Sequence, residues 1–183
     1  MPDPMDHTQA ILLRKTAWSE TSLIVTWLTG SHGTLRTVAR GAKGPKSAFA
    51  GRLDLFFQTE ICVSFSRQGD LHALREVQVV APFDAVRAGN AGFHLAAYFS
   101  ELAGMAAPAM HPAPEIFDLL ARAIAYLQKS PANEKALHHF ERELCRISGV
   151  HDLRGEVQAV EALASLCGGL PRSRAAALKF LSP

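Results

Sequence analysis

The sequence contains few cysteines, only three in 183 residues, and no two of them form a C-x-x-C pair. An odd number argues against a set of disulfides. Cys62, Cys145 and Cys167 each have an apolar neighbour, which predicts buried, reduced thiols. Because structural zinc sites are built from closely spaced Cys and His ligands, neither zinc nor another metal or cofactor is expected.

Long hydrophobic runs are also missing from the chain. No apolar run approaches the roughly 20 residues that a helix needs to cross a bilayer, so we expect no membrane partner. The first ten residues, MPDPMDHTQA, are acidic and contain two prolines, and they lack the positive segment and apolar stretch of a secretory signal. A cytoplasmic location is the resulting expectation.

The chain shows no residue pattern typical of an active site. Its eight histidines are scattered, and the adjacent pair His138 and His139 would point about 100° apart on a helix, too far to share a metal. The carboxylates show no paired spacing suited to acid–base catalysis, so we predict that the protein is not an enzyme. Glu101, an acid within an apolar helical stretch, is expected to form a buried salt bridge to the β-domain.

The formal net charge is only +2, so neither sign of charge dominates the chain. Residues 33–57 nevertheless hold five cations and no acid before Asp54. The cations are Arg36, Arg40, Lys43, Lys46 and Arg52. Gly41 and Gly44 flank Lys43, and glycine lets backbone N–H groups approach an anion. The Gly-Lys-Ser/Thr ending of a P-loop is missing. The pattern therefore predicts a loop that binds a nucleic-acid backbone; a merely solvated loop is the alternative.

The hydrophobic periodicity predicts an α+β protein with two domains. Five short β-type runs precede residue 81 and predict a small barrel: 9–15, 23–28, 34–39, 55–65 and 71–80. The pattern then becomes helical, with predicted helices at 93–105, 115–128, 134–147, 155–166 and 172–181. Proline breaks the pattern between 108 and 114. We expect a nucleic-acid-binding domain at residues 1–80 and an all-α helical domain at residues 81–183.

Several segments, taken in order, resemble the RecO recombination-mediator family. In the first half they are residues 10–15 (AILLRK), 20–29 (ETSLIVTWLT), 38–47 (VARGAKGPKS), 53–56 (LDLF) and 74–77 (LREV). In the second half they are residues 97–102 (AYFSEL), 115–120 (EIFDLL) and 139–149 (HFERELCRISG). The resemblance implies a five-stranded OB-type β-barrel followed by a helical domain. Many family members carry a four-cysteine zinc module after the last of these segments. Here only Cys167 follows it, so zinc binding is not carried over and we expect a compact member of the family.

The resemblance also implies a function. It predicts a non-enzymatic DNA-repair protein that binds single- and double-stranded DNA, anneals complementary strands, and helps to load recombinase onto strands coated by single-strand-binding protein. Its implied partners are DNA, the acidic and apolar C-terminal tail of single-strand-binding protein, and a RecR-type protein. Two alternatives remain open: an OB-type module that binds RNA, and an interaction scaffold without DNA activity.

Residue roles follow from an OB barrel, which holds a single strand with a cationic groove and stacking aromatics. The predicted DNA-binding residues are Arg14, Lys15, Arg36, Arg40, Lys43, Lys46, Phe49 and Arg52. Phe49 is the aromatic within the basic loop and is the predicted stacking platform, whereas Phe56, Phe57 and Phe65 are expected in the core. The cations available for the protein partner are Arg122, Lys129, Lys135, Arg142 and Arg146.

Overall fold

The computed structural model describes residues 5–150 and 158–181. The chain divides into two compact units. The first consists of Met1–Pro82 together with Pro108–Pro114, and the second consists of Phe83–Ala107 and Glu115–Pro183. Residues 155–157 of one predicted helix, and His151, lie outside the described residues.

Five strands form the first unit and close into a ring in the order β1-β2-β3-β5-β4. They are β1 (Met5–Ala17), β2 (Leu23–Thr29), β3 (Gly33–Ala39), β4 (Gln58–Ser64) and β5 (Leu71–Ala81). Neighbouring strands run antiparallel, except that β3 pairs with β5 in parallel. The predicted five-stranded OB-type barrel is thereby confirmed. The first strand is longer at both ends than predicted, and the fourth strand begins three residues later.

The inside of the barrel is filled by alternate residues of each strand, because successive side chains in a strand point to opposite faces. On β3, for example, Leu35, Thr37 and Ala39 are buried while the residues between them are exposed or half-buried. Trp27 is fully buried, and its indole N–H donates to Thr37 Oγ1 at 2.8 Å. The tryptophan N–H is thus satisfied inside an otherwise apolar core.

Gly33 sits where the segment Pro108–Pro114 packs against the barrel. The amide of Thr34 donates to the carbonyl of Pro108 at 2.9 Å, and the amide of Ala113 donates to that of Gly30 at 2.9 Å. Gly33 has a φ of 58°, and a Cβ at this position would lie 2.1 Å from the Pro108 carbonyl oxygen. Glycine is therefore needed at this position both for the positive φ of the β2–β3 turn and for the close approach of the Pro108 carbonyl.

The connection from β3 to β4 contains neither helix nor strand and consists of successive tight turns. Amides donate to carbonyls three residues earlier, from Gly44 to Gly41 at 3.1 Å and from Ser47 to Gly44 at 3.0 Å. The same pattern continues from Ala50 to Ser47 at 3.1 Å. We call this segment, residues 40–57, the basic loop.

The second unit is helical, as predicted. Its helices are α1 (Asp84–Ala88), α2 (Asn90–Ala106), α3 (Pro114–Lys129), α4 (Glu134–Ile147), α5 (Ala159–Cys167) and α6 (Ser173–Leu181). Asn133 caps α4 by accepting from the Ala136 amide at 2.9 Å, and Gly149 follows its end with a φ of 69°, the two residue types typical of these positions. The five-residue α1 was not predicted, because it is too short to show a helical period.

The buried acid of the helical unit is Glu141, which is 1% exposed. It accepts from Tyr98 Oη at 2.6 Å and from Arg174 Nε at 2.8 Å. Burial and the bond to Glu141 raise the pKa of the Tyr98 hydroxyl, so that group remains a donor. The prediction for Glu101 is wrong: this side chain is exposed and accepts from Ser173 within the same unit.

Candidate nucleic-acid interface

The outer face of the barrel carries a row of arginines. On β3, Arg36 and Val38 alternate with the buried residues and point outward, and Arg40 follows the strand directly as the first residue of the basic loop. The parallel pairing with β5 aligns Arg36 with Leu71 and Val38 with Ala73. These neighbours are half-buried, so the outer face joins arginines to an apolar floor.

Arg14 belongs to the same outer face, because the strand register brings it into line with Arg36. Arg14 pairs with Thr26 of β2, and Thr26 pairs with Arg36 of β3. Two strand spacings separate the arginine backbones, which is about 10 Å. We define the arginine face as Arg14, Arg36, Arg40 and Arg75, the last being an exposed residue of β5.

Arg36 is the member of this face with an acidic partner. Its Nη1 lies 2.6 Å from Asp70 Oδ2, in the turn between β4 and β5. The hydrogen bond from Arg36 lowers the pKa of the Asp70 carboxyl, which therefore stays ionised at neutral pH. A phosphate that binds Arg36 would have to displace or share this carboxylate.

Two of the predicted DNA-binding cations are engaged elsewhere. Lys15 follows Arg14 on the strand and so points to the other face, where its Nζ lies 2.8 Å from Asp54 Oδ1 and ties down the basic loop. Arg52 donates to the carbonyl of Val77 at 3.2 Å and shares a cavity of about 760 Å³ with Glu60 and Glu76. Lys15 is therefore turned away from the arginine face, and Arg52 is held by a backbone carbonyl in a cavity that Arg75 also lines.

Three amides of the glycine-rich turn in the basic loop are already bonded within the protein. The Lys43 amide donates to the Thr21 carbonyl at 2.9 Å, and the Gly41 amide donates to Ser22 Oγ at 3.4 Å. The Gly44 amide is bonded to the Gly41 carbonyl. These three amides would have to give up their present bonds to hold an anion. Gly41 has a φ of 69° and so forms a turn. The bonds to Thr21 and Ser22 join the basic loop to the β1–β2 turn.

Phe49 was predicted to stack on bases, and its burial overturns that prediction. Its side chain is 8% exposed and packs with Leu12, Ile61 and Val77 in the barrel core. Too little of the ring is open for a base to cover it. Phe56 and Phe57 are buried as expected, and Phe65 is half-buried beside the core.

The exposed aromatic that sequence reasoning missed is Trp18, which is 59% exposed in the turn between β1 and β2. Trp18, Arg40 and Arg75 line a cavity of about 370 Å³ together with Val38 and Leu71. The signal in the sequence was a tryptophan among polar turn residues, Trp18-Ser-Glu20, where no core is available to bury it.

The remaining predicted cations of the barrel are Lys43 and Lys46, both exposed in the basic loop. Lys43 Nζ donates to the Ser19 carbonyl at 2.7 Å, which holds the β1–β2 turn. The side chains of Arg40 and Lys46 make no hydrogen bond or ion pair with other described residues. Arg40 and Lys46 are accordingly available to an anionic partner.

The helical unit has a cavity of its own, about 410 Å³ in volume, between α3 and α4. Its apolar lining comprises Phe99, Leu119, Ala123, Tyr126, Ala136 and Phe140. Among the predicted partner-binding cations, Arg122 and Lys135 line it, and His139 adds a third basic side chain. Lys129, Arg142 and Arg146 do not line it, and Arg146 pairs with Glu143 at 3.1 Å.

The thiols and histidines form no further site within residues 5–150 and 158–181, where no group of three or more His, Cys, Asp or Glu could hold a metal ion. Cys62 and Cys145 are buried as predicted, whereas Cys167 is only half-buried. Burial raises the pKa of all three thiols. In the described part of the chain, no helix is long and apolar enough to cross a membrane.

Residues 5–83, the whole barrel of the first unit, match the protein family described as "Recombination protein O N terminal". The chain belongs to the RecO family. A "DNA repair protein RecO" of Xanthomonas campestris pv. campestris (strain B100) is 35% identical over 144 residues, covering 76% of the chain and 57% of that protein. The RecO of Pelobacter propionicus is 30% identical over 144 residues, covering 79% of the chain and 58% of that protein.

A third relative, the RecO of Anaeromyxobacter dehalogenans, is 32% identical over 140 residues and is matched over 55% of its length. The chain thus spans a little over half the length of the RecO proteins that it matches. Both units are included, since the matches extend well beyond the barrel of about 80 residues.

Proposed function

We propose that this RecO-family chain is a cytoplasmic, non-enzymatic mediator of DNA repair and recombination. It binds single- and double-stranded DNA, anneals complementary strands, and assists recombinase loading on strands coated by single-strand-binding protein. The proposal includes a RecR-type protein as a further partner. It acts by binding alone, through charge and surface shape, and requires no bond to be made or broken in DNA.

The arginine face is the observation that carries the proposal. OB barrels bind oligonucleotides on strands 2 and 3 and on the loops at their ends. Arg14 and Arg36 lie on that face of β1–β3, Arg40 follows β3 at the start of the basic loop, and Arg75 extends the face across β5. Arginine matches phosphate geometry with several N–H donors, and its contacts to the backbone do not depend on base sequence.

Annealing follows from the same charges. Two complementary strands repel each other through their phosphates, and a cationic surface that holds both lowers this repulsion. Lys46, together with Lys43 once its bond to Ser19 is exchanged for a phosphate, widens the cationic surface beyond the strands. No residue of this surface needs to recognise a base for annealing to occur.

Annealing of two complementary DNA oligonucleotides, followed by fluorescence energy transfer, tests this function. We expect the native protein to accelerate annealing, and Arg36→Ala/Arg40→Ala to remove most of the acceleration. A parallel assay with RNA strands separates the RNA-binding alternative, which requires faster annealing of RNA than of DNA. No acceleration of either pair by the native protein would contradict the proposal and favour the scaffold.

The cavity between α3 and α4 is the proposed site for the tail of single-strand-binding protein. Arg122 is exposed at its edge and Lys135 lies beside it, while Phe99 and Phe140 stack at 4.1 Å in its apolar wall. An acidic segment with an apolar end matches this combination of cations and aromatic rings. Arg122 also bonds to Asp118 at 2.8 Å, an exposed pair that costs little to break.

Fluorescence anisotropy of a labelled acidic peptide with an apolar C-terminal residue tests this cavity. Arg122→Gln/Lys135→Gln is expected to weaken peptide binding about 5-fold or more, because two exposed charge pairs are each worth up to about 1 kcal/mol. The matched control, Lys129→Gln/Arg142→Gln, removes the same charge outside the cavity and should bind normally. Equal losses in both variants would place the tail elsewhere.

The two assays should also separate the two units. The variant of the helical cavity is expected to anneal DNA at the native rate, and Arg36→Ala/Arg40→Ala is expected to bind the peptide normally. Loss of both activities in either variant would indicate a single shared site and would contradict the assignment of one role to each unit.

A further inference from the structure

Trp18 combines exposure with a rigidly held backbone. Its amide donates to the Ser22 carbonyl at 3.0 Å, and the Ser22 amide donates to Ser19 Oγ at 3.1 Å, which closes a tight turn. Lys43 bonds to the turn twice, through its amide to the Thr21 carbonyl and through its Nζ to the Ser19 carbonyl. A large apolar side chain is thus fixed at the surface and not left on a loose loop.

The cavity beside Trp18 has the chemistry of a nucleotide site. Val38, Leu71 and Ala73 supply an apolar floor, and Ser64, Ser66 and His72 supply polar groups. Arg40 and Arg75 supply the cations at the same cavity. Its volume of about 370 Å³ lies near the lower end of the range for small-ligand pockets, about 300 to 1,000 Å³. A flat aromatic ring next to two arginines matches a base attached to a phosphate.

Two of the polar groups are already oriented. His72 is buried, and its Nδ1 accepts from the Ser66 amide at 3.1 Å. Burial lowers the pKa of His72, so the ring is neutral at physiological pH and holds the start of the β4–β5 turn. Arg75 Nη2 donates to Ser64 Oγ at 3.3 Å, which directs this arginine along the cavity wall. The side of the cavity opposite Trp18 is therefore preorganised.

We propose that this cavity binds one unpaired nucleobase, stacked on the Trp18 indole, while Arg40 and Arg75 hold its phosphate. The inference rests on the proposed DNA-binding function and adds strand selectivity to it. In a duplex the bases are stacked on each other and paired, so their faces cannot reach the indole without unstacking. Trp18 accordingly sets the preference for single-stranded over double-stranded DNA, whereas the arginines bind both.

Tryptophan fluorescence tests this assignment directly, because Trp27, the second tryptophan, is fully buried and gives a constant background. Titration of the native protein with a thymidine oligonucleotide should quench the emission of Trp18, and a duplex of the same length should not. Unchanged emission at saturating single strand, with binding confirmed by anisotropy, would overturn the assignment while leaving the proposed function intact.

Variants at Trp18 provide the second test. Trp18→Leu is expected to weaken single-strand binding by about 5- to 150-fold, the range for loss of one stacked base. Duplex affinity and the salt dependence of single-strand binding should not change, since no phosphate contact is lost. Trp18→Phe should recover part of the loss. Native single-strand affinity in Trp18→Leu would overturn the assignment; if the native protein bound no DNA at all, the proposed function would fail with it.

Discussion

Replacing Arg174 with methionine is expected to destabilise the helical unit by about 3 to 5 kcal/mol, the usual cost of removing one partner from a buried ion pair. Arg174 is 20% exposed and Glu141 is 1% exposed, so the substitution would leave a buried carboxyl group without its guanidinium partner. Burial alone would lower the pKa of Arg174, but the bond and charge of Glu141 raise it, so Arg174 stays charged.

The other contacts of Glu141 do not compensate for this loss. Tyr98 donates one neutral hydroxyl at 2.6 Å, and His138 contributes a longer contact at 3.3 Å from a half-exposed ring. Urea unfolding followed by far-ultraviolet circular dichroism, which reports on the helices, measures the change in the free energy of unfolding. A fall in Tm of more than about 10 °C should accompany it.

Two further variants test whether the loss of stability comes from the buried ion pair between Arg174 and Glu141. Arg146→Met breaks the exposed pair with Glu143 and should cost less than about 1 kcal/mol. Glu141→Gln/Arg174→Met removes both charges and should be less destabilised than Arg174→Met alone, because no buried charge remains unpaired. A loss below about 1 kcal/mol in Arg174→Met would contradict the account of this network.

The secondary structure could be predicted from the sequence because its causes are local. Alternating apolar residues on β3 and the helical period of α3 lie within single segments, and so do the caps Asn133 and Gly149. The resemblance to the RecO family then supplied the closure of the five strands into an OB-type barrel. These features needed no knowledge of contacts between distant parts of the chain.

The errors concern residues whose surroundings come from distant segments. Glu101 and Glu141 both lie among apolar helical residues. Only the position of α6 determines that Ser173 bonds to Glu101 and that Arg174 bonds to Glu141. Phe49 lies among cations in sequence but packs into the barrel core in space. The sequence did not indicate a role for Trp18, because Arg40 and Arg75, which line the same cavity, come from distant segments of the chain.

The second large effect is expected at the arginine face. Arg14→Ala/Arg40→Ala/Arg75→Ala removes three cations, one each from β1, the basic loop and β5, without touching the ion pair between Arg36 and Asp70. Each lost phosphate contact lowers the slope of log affinity against log salt by about 0.7 for a single strand, so the slope should fall by about 2. Over the decade between 1 M and 0.1 M salt, this corresponds to about 100-fold weaker binding at 0.1 M.

A matched variant keeps the net charge the same. Lys129→Ala/Arg142→Ala/Lys179→Ala also removes three exposed cations, all from the helical unit. The two triple variants therefore differ in where the charge is lost and not in how much is lost. Circular dichroism of both should match the native protein, because every residue replaced is exposed.

Fluorescence anisotropy of a labelled single-stranded oligonucleotide, titrated at several salt concentrations with the native protein and the two triple variants, is the most direct test of the arginine face. We predict salt-dependent binding by the native protein, an unchanged slope for the helical-unit variant, and a slope smaller by about 2 for Arg14→Ala/Arg40→Ala/Arg75→Ala. A native slope and affinity in the arginine-face variant, or an equal loss in both variants, would contradict the claim that this face binds DNA.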